Sequence, residues 1–267
     1  MRIVLPLAFA AALFAPALAL AQTDASEPLP PKDVNLSFQE PYFGLYDRAA
    51  LQRGYQVYKE VCSACHSLNR VTFHSLGEEG GPGFSDAQVK ALAAAAKIPA
   101  EPNDKGEEYN SSGERLTRPG IPADNMPAPF ANVEAARAAN GGAAPPDLSV
   151  IEKAREGGAN YVYSILTGFG EKPPSGFKVM DGKYYNPYFP GRNISMPPPL
   201  TDGAVTYSDG TKATVDQEAK DVVTFLAWAG EPKMEERKRE GFEVVVFLLV
   251  LSGLLYLSYR RVWRDKH

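Results

Sequence analysis

The chain has 267 residues, with 28 basic and 32 acidic side chains and a formal net charge of −4. Between Gln22 and Glu240 the imbalance is 30 acidic against 23 basic, which argues against nucleic acid as a partner, because phosphates demand the opposite sign. A basic protein partner fits better, with acidic patches steering the encounter.

In chain order, residues 1–21 read as a secretory signal peptide. Arg2 supplies the positive start, Ile3 to Leu20 is almost wholly apolar, and Ala19-Leu20-Ala21 is a small-x-small cleavage site, so the mature chain begins near Gln22. The exported part is long enough to bury a full core as one domain. With 23 Gly and 23 Pro, no internal repeat and little strand-like alternation, it is expected to be a few helices joined by long loops. The first helix is expected over Asp47 to Val61, where Leu51, Tyr55, Tyr58 and Val61 form one apolar stripe with Gly54 among them.

That helix leads straight into Cys62-Ser63-Ala64-Cys65-His66. C-x-x-C-H is the attachment signature of a c-type haem, in which both thiols add to the porphyrin vinyl groups and the histidine reaches the iron. A thioredoxin-type C-x-x-C follows a strand in a βαβ unit, and none is patterned here. A structural zinc wants four ligands, whereas the rest of the chain offers only His74, His267 and carboxylates. A plain disulfide leaves His66 unexplained. An export signal suits haem c, which is attached outside the bacterial cytoplasm.

Residues 77–125 are rich in Gly, Pro, Glu, Ser and Asn and read as a surface insertion. Leu148 to Leu166 reads as one or two helices broken near Gly157-Gly158. For the sixth iron ligand the mature chain offers Met126, Met180, Met196, Met234 and His74. Met196 leads, because it sits in the proline-stiffened loop Asn193 to Leu200 just before the last helix of the domain. Met126, in Asn125-Met126-Pro127, is second; His74 is too near His66 to reach round the ring. His/Met ligation would fill the iron's coordination and raise its potential, favouring electron transfer over oxygen chemistry.

Thr214 to Trp228 opens with Thr214-x-x-Gln217, a capping-box pattern. It carries Val222, Val223, Phe225, Leu226 and Trp228, and stops at Gly230-Glu231-Pro232. A mainly α, class I cytochrome c-like domain follows as the expectation, its first and last helices crossing at Gly54 against Phe225 and Trp228. Phe242 to Tyr259 is an apolar run with only Glu243 near its edge, just long enough to span a bilayer. Arg260, Arg261, Arg264 and Lys266 follow, so residues 260–267 are expected in the cytoplasm and residues 22–240 in the periplasm.

Several runs resemble the cytochrome c1 family: Pro41-Tyr42-Phe43-Gly44, Arg53 to Cys62, Glu134 to Ser149, Asn186 to Gly191 and Ala219 to Pro232. The resemblance covers roughly residues 40–76 and 130–264. It implies that Asn140, Pro145 and Pro146 line a haem crevice, that Arg155 and Tyr161 hold the propionates, and that Leu166 and Ile194 lie against the ring. A bidentate charged donor suits a propionate in an apolar pocket. The resemblance also implies one covalent haem c and a place in a dimeric membrane complex with cytochrome b and a Rieske iron–sulfur protein, feeding a cytochrome c acceptor. The rival readings are an independent membrane-tethered cytochrome serving a terminal oxidase, and a haem enzyme or gas sensor with an open iron.

Overall fold

The computed structural model describes residues 27–266. The expected signal peptide lies outside them. The Asp47 carboxylate accepts hydrogen bonds from the Ala49 and Ala50 amides and so starts α1, Arg48–Glu60. The buried face of α1 carries Leu51, Tyr55, Val57 and Tyr58. Helix α2, Asp86–Ala94, begins with a reciprocal cap between Ser85 and Gln88. Strands β1 (Lys97–Pro99) and β2 (Thr117–Pro119) pair antiparallel. Helices α3 (Val133–Ala139) and α4 (Gly158–Thr167) follow. Strands β3 (Tyr184–Tyr185) and β4 (Asn193–Ile194) form a second short ladder. Helices α5 (Val215–Gly230) and α6 (Met234–Trp263) end the chain. The architecture is mainly helical, as expected.

Helices α1 and α5 cross at Gly54. A methyl group placed there would collide with the Asp221 carbonyl and lie 2.7 Å from the Phe225 Cβ. Phe225 and Trp228 are fully buried beside the crossing. Tyr55 and Tyr58 meet the Phe225 ring at 5.7 and 5.9 Å between centroids, within the range of favourable aromatic pairs. One residue earlier, Arg53 grips the buried Asp221 carboxylate through Nε and Nη2, at 2.9 and 3.0 Å, and reaches Asp209 with Nη1. Breaking such a desolvated pair from one side costs about 3–5 kcal/mol.

Three local expectations change. Thr214 does cap α5 by accepting from the Gln217 amide, but the Gln217 side chain turns away to donate to Asp221, so the reciprocal half of the capping box is replaced by support for the ion pair. Of Leu148 to Leu166, only the part after Gly157 is regular helix. Gly157 sits at φ +83° and Gly158 at φ +50°, and the residues before them form turns. Segment 77–125 divides in two. Val89, Ala93 and Ile98 join the main core, and Gly81 lies so near Trp228 that a methyl would stand 3.1 Å from its ring. Residues 101–115 form an exposed arm.

Helix α6 is long and apolar enough to cross a membrane, and the apolar window that qualifies it has no part buried against the rest of the chain. Its first turns are polar and locked to the domain. Glu235 accepts from the Tyr46 amide at 2.7 Å and pairs with Arg48. Glu231 pairs with Arg237 and Lys153.

Gly54→Ala tests the crossing. In an isolated helix the change favours folding by about 1 kcal/mol, whereas overpacking costs about 1–3 kcal/mol. The tertiary contact should win, with a thermal midpoint lower by up to about 8 °C in calorimetry. A raised midpoint would mean the helices do not meet at this distance.

Candidate functional site

After Glu60 the helix tightens into a short 3-10 turn over Cys62–Ala64, and the His66 amide bonds back to the Cys62 carbonyl at 2.9 Å. Both thiols are free; Cys62 is partly buried against the main core and Cys65 is exposed. Burial, helped by the neighbouring Cys65, pushes the Cys62 thiol up to about 12.

His66 Nδ1 lies 2.8 Å from the Pro146 carbonyl oxygen. A carbonyl can only accept, so Nδ1 carries the proton and Nε2 keeps its lone pair, the state a metal ligand requires. Burial also lowers the imidazole's proton affinity, outweighing the Pro146 bond and the Asp147 charge. Two free thiols and a partly buried neutral imidazole whose Nδ1 is already bonded fit a covalently attached haem, whose iron Nε2 would ligate.

Asp147 holds the segment that supplies Pro146. It accepts from the Ser67 hydroxyl at 2.7 Å and from the Asn69 and Ser149 amides, each at 2.9 Å. The Leu148 amide also binds the Ser67 carbonyl, and the Tyr58 hydroxyl binds that of His66. Partial burial works against the Asp147 carboxylate, yet these hydrogen bonds hold its pKa below the ordinary value. Sequence reasoning missed Asp147; the Asp-x-Ser spacing after Pro145-Pro146 is the local signal of such a side-chain turn.

Helix α4 stands between the main core and a smaller apolar cluster. Leu166 faces the main core. Tyr161, Ile165, Ile194 and Met196 gather in the smaller cluster with Tyr188. The loop bearing Met196 is pinned to the end of α4: the buried Asn186 donates to the Ile165 carbonyl at 2.7 Å and accepts from the Tyr188 amide. The β3–β4 ladder and a Lys183–Ser195 hydrogen bond fix the strand just before Met196. The alternative Met126 is buried in the main core, 4% exposed, and its amide binds the Val71 carbonyl. Met180 is open to solvent, and Met234 is buried where α6 begins.

Asn140 ends α3, its side chain donating to the Ala136 carbonyl at 2.7 Å, and its own carbonyl receives the Ala143 amide on the way to Pro145 and Pro146. Arg155 is exposed in the turn before α4 and donates to the Ala154 carbonyl. Burial raises the Tyr161 phenol, and the nearby Arg155 charge partly opposes this.

A helix ending in two thiols and a metal-ready imidazole, crossed by a helix that is followed by an exposed apolar helix long enough to span a bilayer, defines the membrane-anchored c-type cytochromes. The profile of the Cytochrome C1 family matches residues 36–266. Cytochrome c1 of Rhodospirillum rubrum is 49% identical over 84% of this chain and 85% of its own length. Cytochrome b/c1 of Bradyrhizobium diazoefficiens is 49% identical over 99% of this chain, which spans only 40% of that longer protein. A mitochondrial cytochrome c1 heme protein of Arabidopsis thaliana is 48% identical over 81% of this chain and 67% of its own length. The chain belongs to the cytochrome c1 family.

The Asp147 contacts carry a pH signature. A carboxyl whose folded pKa is depressed stabilises the fold above its unfolded value, about pH 4, and loses that contribution as pH falls through the folded value. Asp147→Asn removes the charge at every pH. The stability gap between the two proteins, read from denaturant midpoints between pH 3 and 7, should be full at neutral pH and shrink in acid. A pH-independent gap would mean that the charge contributes nothing.

Proposed function

We propose that this chain is the haem-carrying electron-transfer subunit of a bacterial quinol–cytochrome c oxidoreductase, taking single electrons from a Rieske iron–sulfur protein and passing them to a cytochrome c. The observation that carries this reading is the His66–Pro146 hydrogen bond beside two free thiols in a chain of this family. Bound haem c supplies a one-electron iron couple. The protein supplies ligation, an apolar setting and docking surfaces.

In this reading Cys62 and Cys65 would hold the porphyrin covalently, and His66 and Met196 would ligate its iron. Asn140, Pro145, Pro146, Leu166 and Ile194 line the crevice, and Arg155 with Tyr161 receives the propionates. The paired use of Tyr161, Ile194 and Met196 is supported by their shared cluster. Met196 is favoured over Met126 because Met126 is already committed to the core.

The proposed organisation is a signal peptide over 1–21, a periplasmic haem domain over 22–240, one span over 242–259 and a cytoplasmic tail. Cytochrome b and the Rieske protein are the proposed neighbours within a dimeric complex of the inner membrane. An independent tethered cytochrome is not favoured, because the family match continues through the anchor to residue 266.

Two experiments test this. Cys62→Ala or Cys65→Ala should abolish or greatly weaken the haem stain that survives boiling in denaturing gels; haem fully extracted from the native protein by acid-acetone would refute covalent attachment. Met196→Leu should lower the midpoint potential by on the order of a few hundred millivolts, within the span that axial ligands control, and remove the methionine–iron absorption band in redox titration. An unchanged potential would return the choice to Met126.

A further inference from the structure

We infer that the loop Pro41–Leu45 is a second membrane contact, with Tyr42 and Phe43 seated among lipid chains beside the anchor helix. Tyr42 is 75% exposed and Phe43 67%. Two adjacent aromatic rings left in water forgo the stabilisation that burying apolar surface brings. They are not scattered surface residues. Together with Pro41 they form one wall of a groove of about 480 Å³ whose other wall is α6, through Arg237, Lys238, Gly241, Phe242 and Val245.

The register of the loop against α6 sets its depth. The Phe43 ring meets the Phe242 ring edge-on, with centroids 5.8 Å apart. Phe242 is the first residue of the apolar run, and Val245 lies one turn further in. Phe43 therefore stands level with the first turn of the span, where membrane proteins concentrate aromatic side chains. The wall formed by Phe242 and Val245 belongs to a helix surface that is otherwise uncovered, so the groove is continuous with the lipid-facing face of the anchor.

The loop cannot drift from that level. The Lys238 ammonium donates to the carbonyls of Phe38, Glu40 and Gly44, at 2.9, 2.6 and 3.2 Å. Any side chain at position 44 would press on Lys238 and on the Glu40 carbonyl, 2.9 and 2.6 Å away. With its ammonium spent on the loop, and Arg237 paired to Glu231, the groove recognises the apolar part of a lipid rather than an anionic head group. A helix alone leaves the domain free to swing about its axis, whereas a helix plus a rigid aromatic loop gives two points of contact and a defined tilt.

This inference rests on α6 being the membrane anchor, and the test separates the two. The full-length protein is placed in phosphatidylcholine vesicles containing a lipid with a photoactivatable diazirine near the top of its acyl chain, irradiated, and mapped by peptide mass spectrometry. Adducts are expected on the 41–45 peptide as well as within 242–259, with none on Tyr109 of the exposed arm 101–115. Tyr42→Ser with Phe43→Ser should lose the loop adducts and keep those on α6. Labelling of α6 alone would overturn the inference. Labelling of neither would overturn the anchor reading itself. Repeating the experiment with the same lipid fused into native membranes decides the occupant: loop adducts that vanish there while those on α6 persist would also overturn it.

Discussion

Helix α1 approaches α5 closely because position 54 has no side chain, and both ends of the molecule depend on that approach. The crossing aligns the C-terminal end of α1, where the two thiols and His66 sit, against the element that runs on into the anchor. Arg53 and Asp221 stand at the same crossing. Their pairing is bidentate, and Gln217 adds a further donor to the carboxylate. That is the geometry a buried ion pair needs to offset its desolvation. A glycine that admits the partner backbone and a salt bridge that fixes its register act together: one sets the distance, the other the position along the axis.

The histidine is oriented from outside its own helix. Pro146 supplies the acceptor for Nδ1, Asp147 ties that segment to Ser67 and Asn69, and Tyr58 holds the His66 carbonyl. Such outer contacts fix the ring and its tautomer, and they matter to a metal site nearly as much as the ligands. On the other side of α4, Gly168 leaves room for Asn186 and Tyr188, which a methyl would approach to 2.9 and 2.8 Å. Asn186 in turn anchors the loop carrying Met196. That loop is held by a buried amide, a short ladder and three prolines, the rigidity a weak thioether ligand would need in the proposed role of Met196.

The junction with α6 is polar and dense. Arg48, Glu235, Glu231, Arg237, Lys153 and Lys238 all engage within the first turns. An electron carrier fixed beside its donor meets it at high effective concentration, and this junction makes the anchor's position the domain's position.

Much of this was legible in the sequence. C-x-x-C-H carries its chemistry in five consecutive residues, the stripe from Leu51 to Val61 marks a helix by period alone, and the apolar run with its basic tail marks a span. These are local properties, set by covalent spacing and helical repeat. What the sequence left open is where contact is made across long separations. Gln217 fits a capping box until Asp221 and Arg53 are seen beside it. Met126 and Met196 both precede prolines, and only packing separates the one in the core from the one beside Tyr161 and Ile194. Asp147 is one carboxylate among 32 acidic residues until the fold brings Ser67 and Asn69, some eighty positions away, to its oxygens. Segment 77–125 has the composition of a surface loop, yet Val89, Ala93 and Ile98 are in the core, because burial follows from the partner a side chain meets and not from the average of its neighbours.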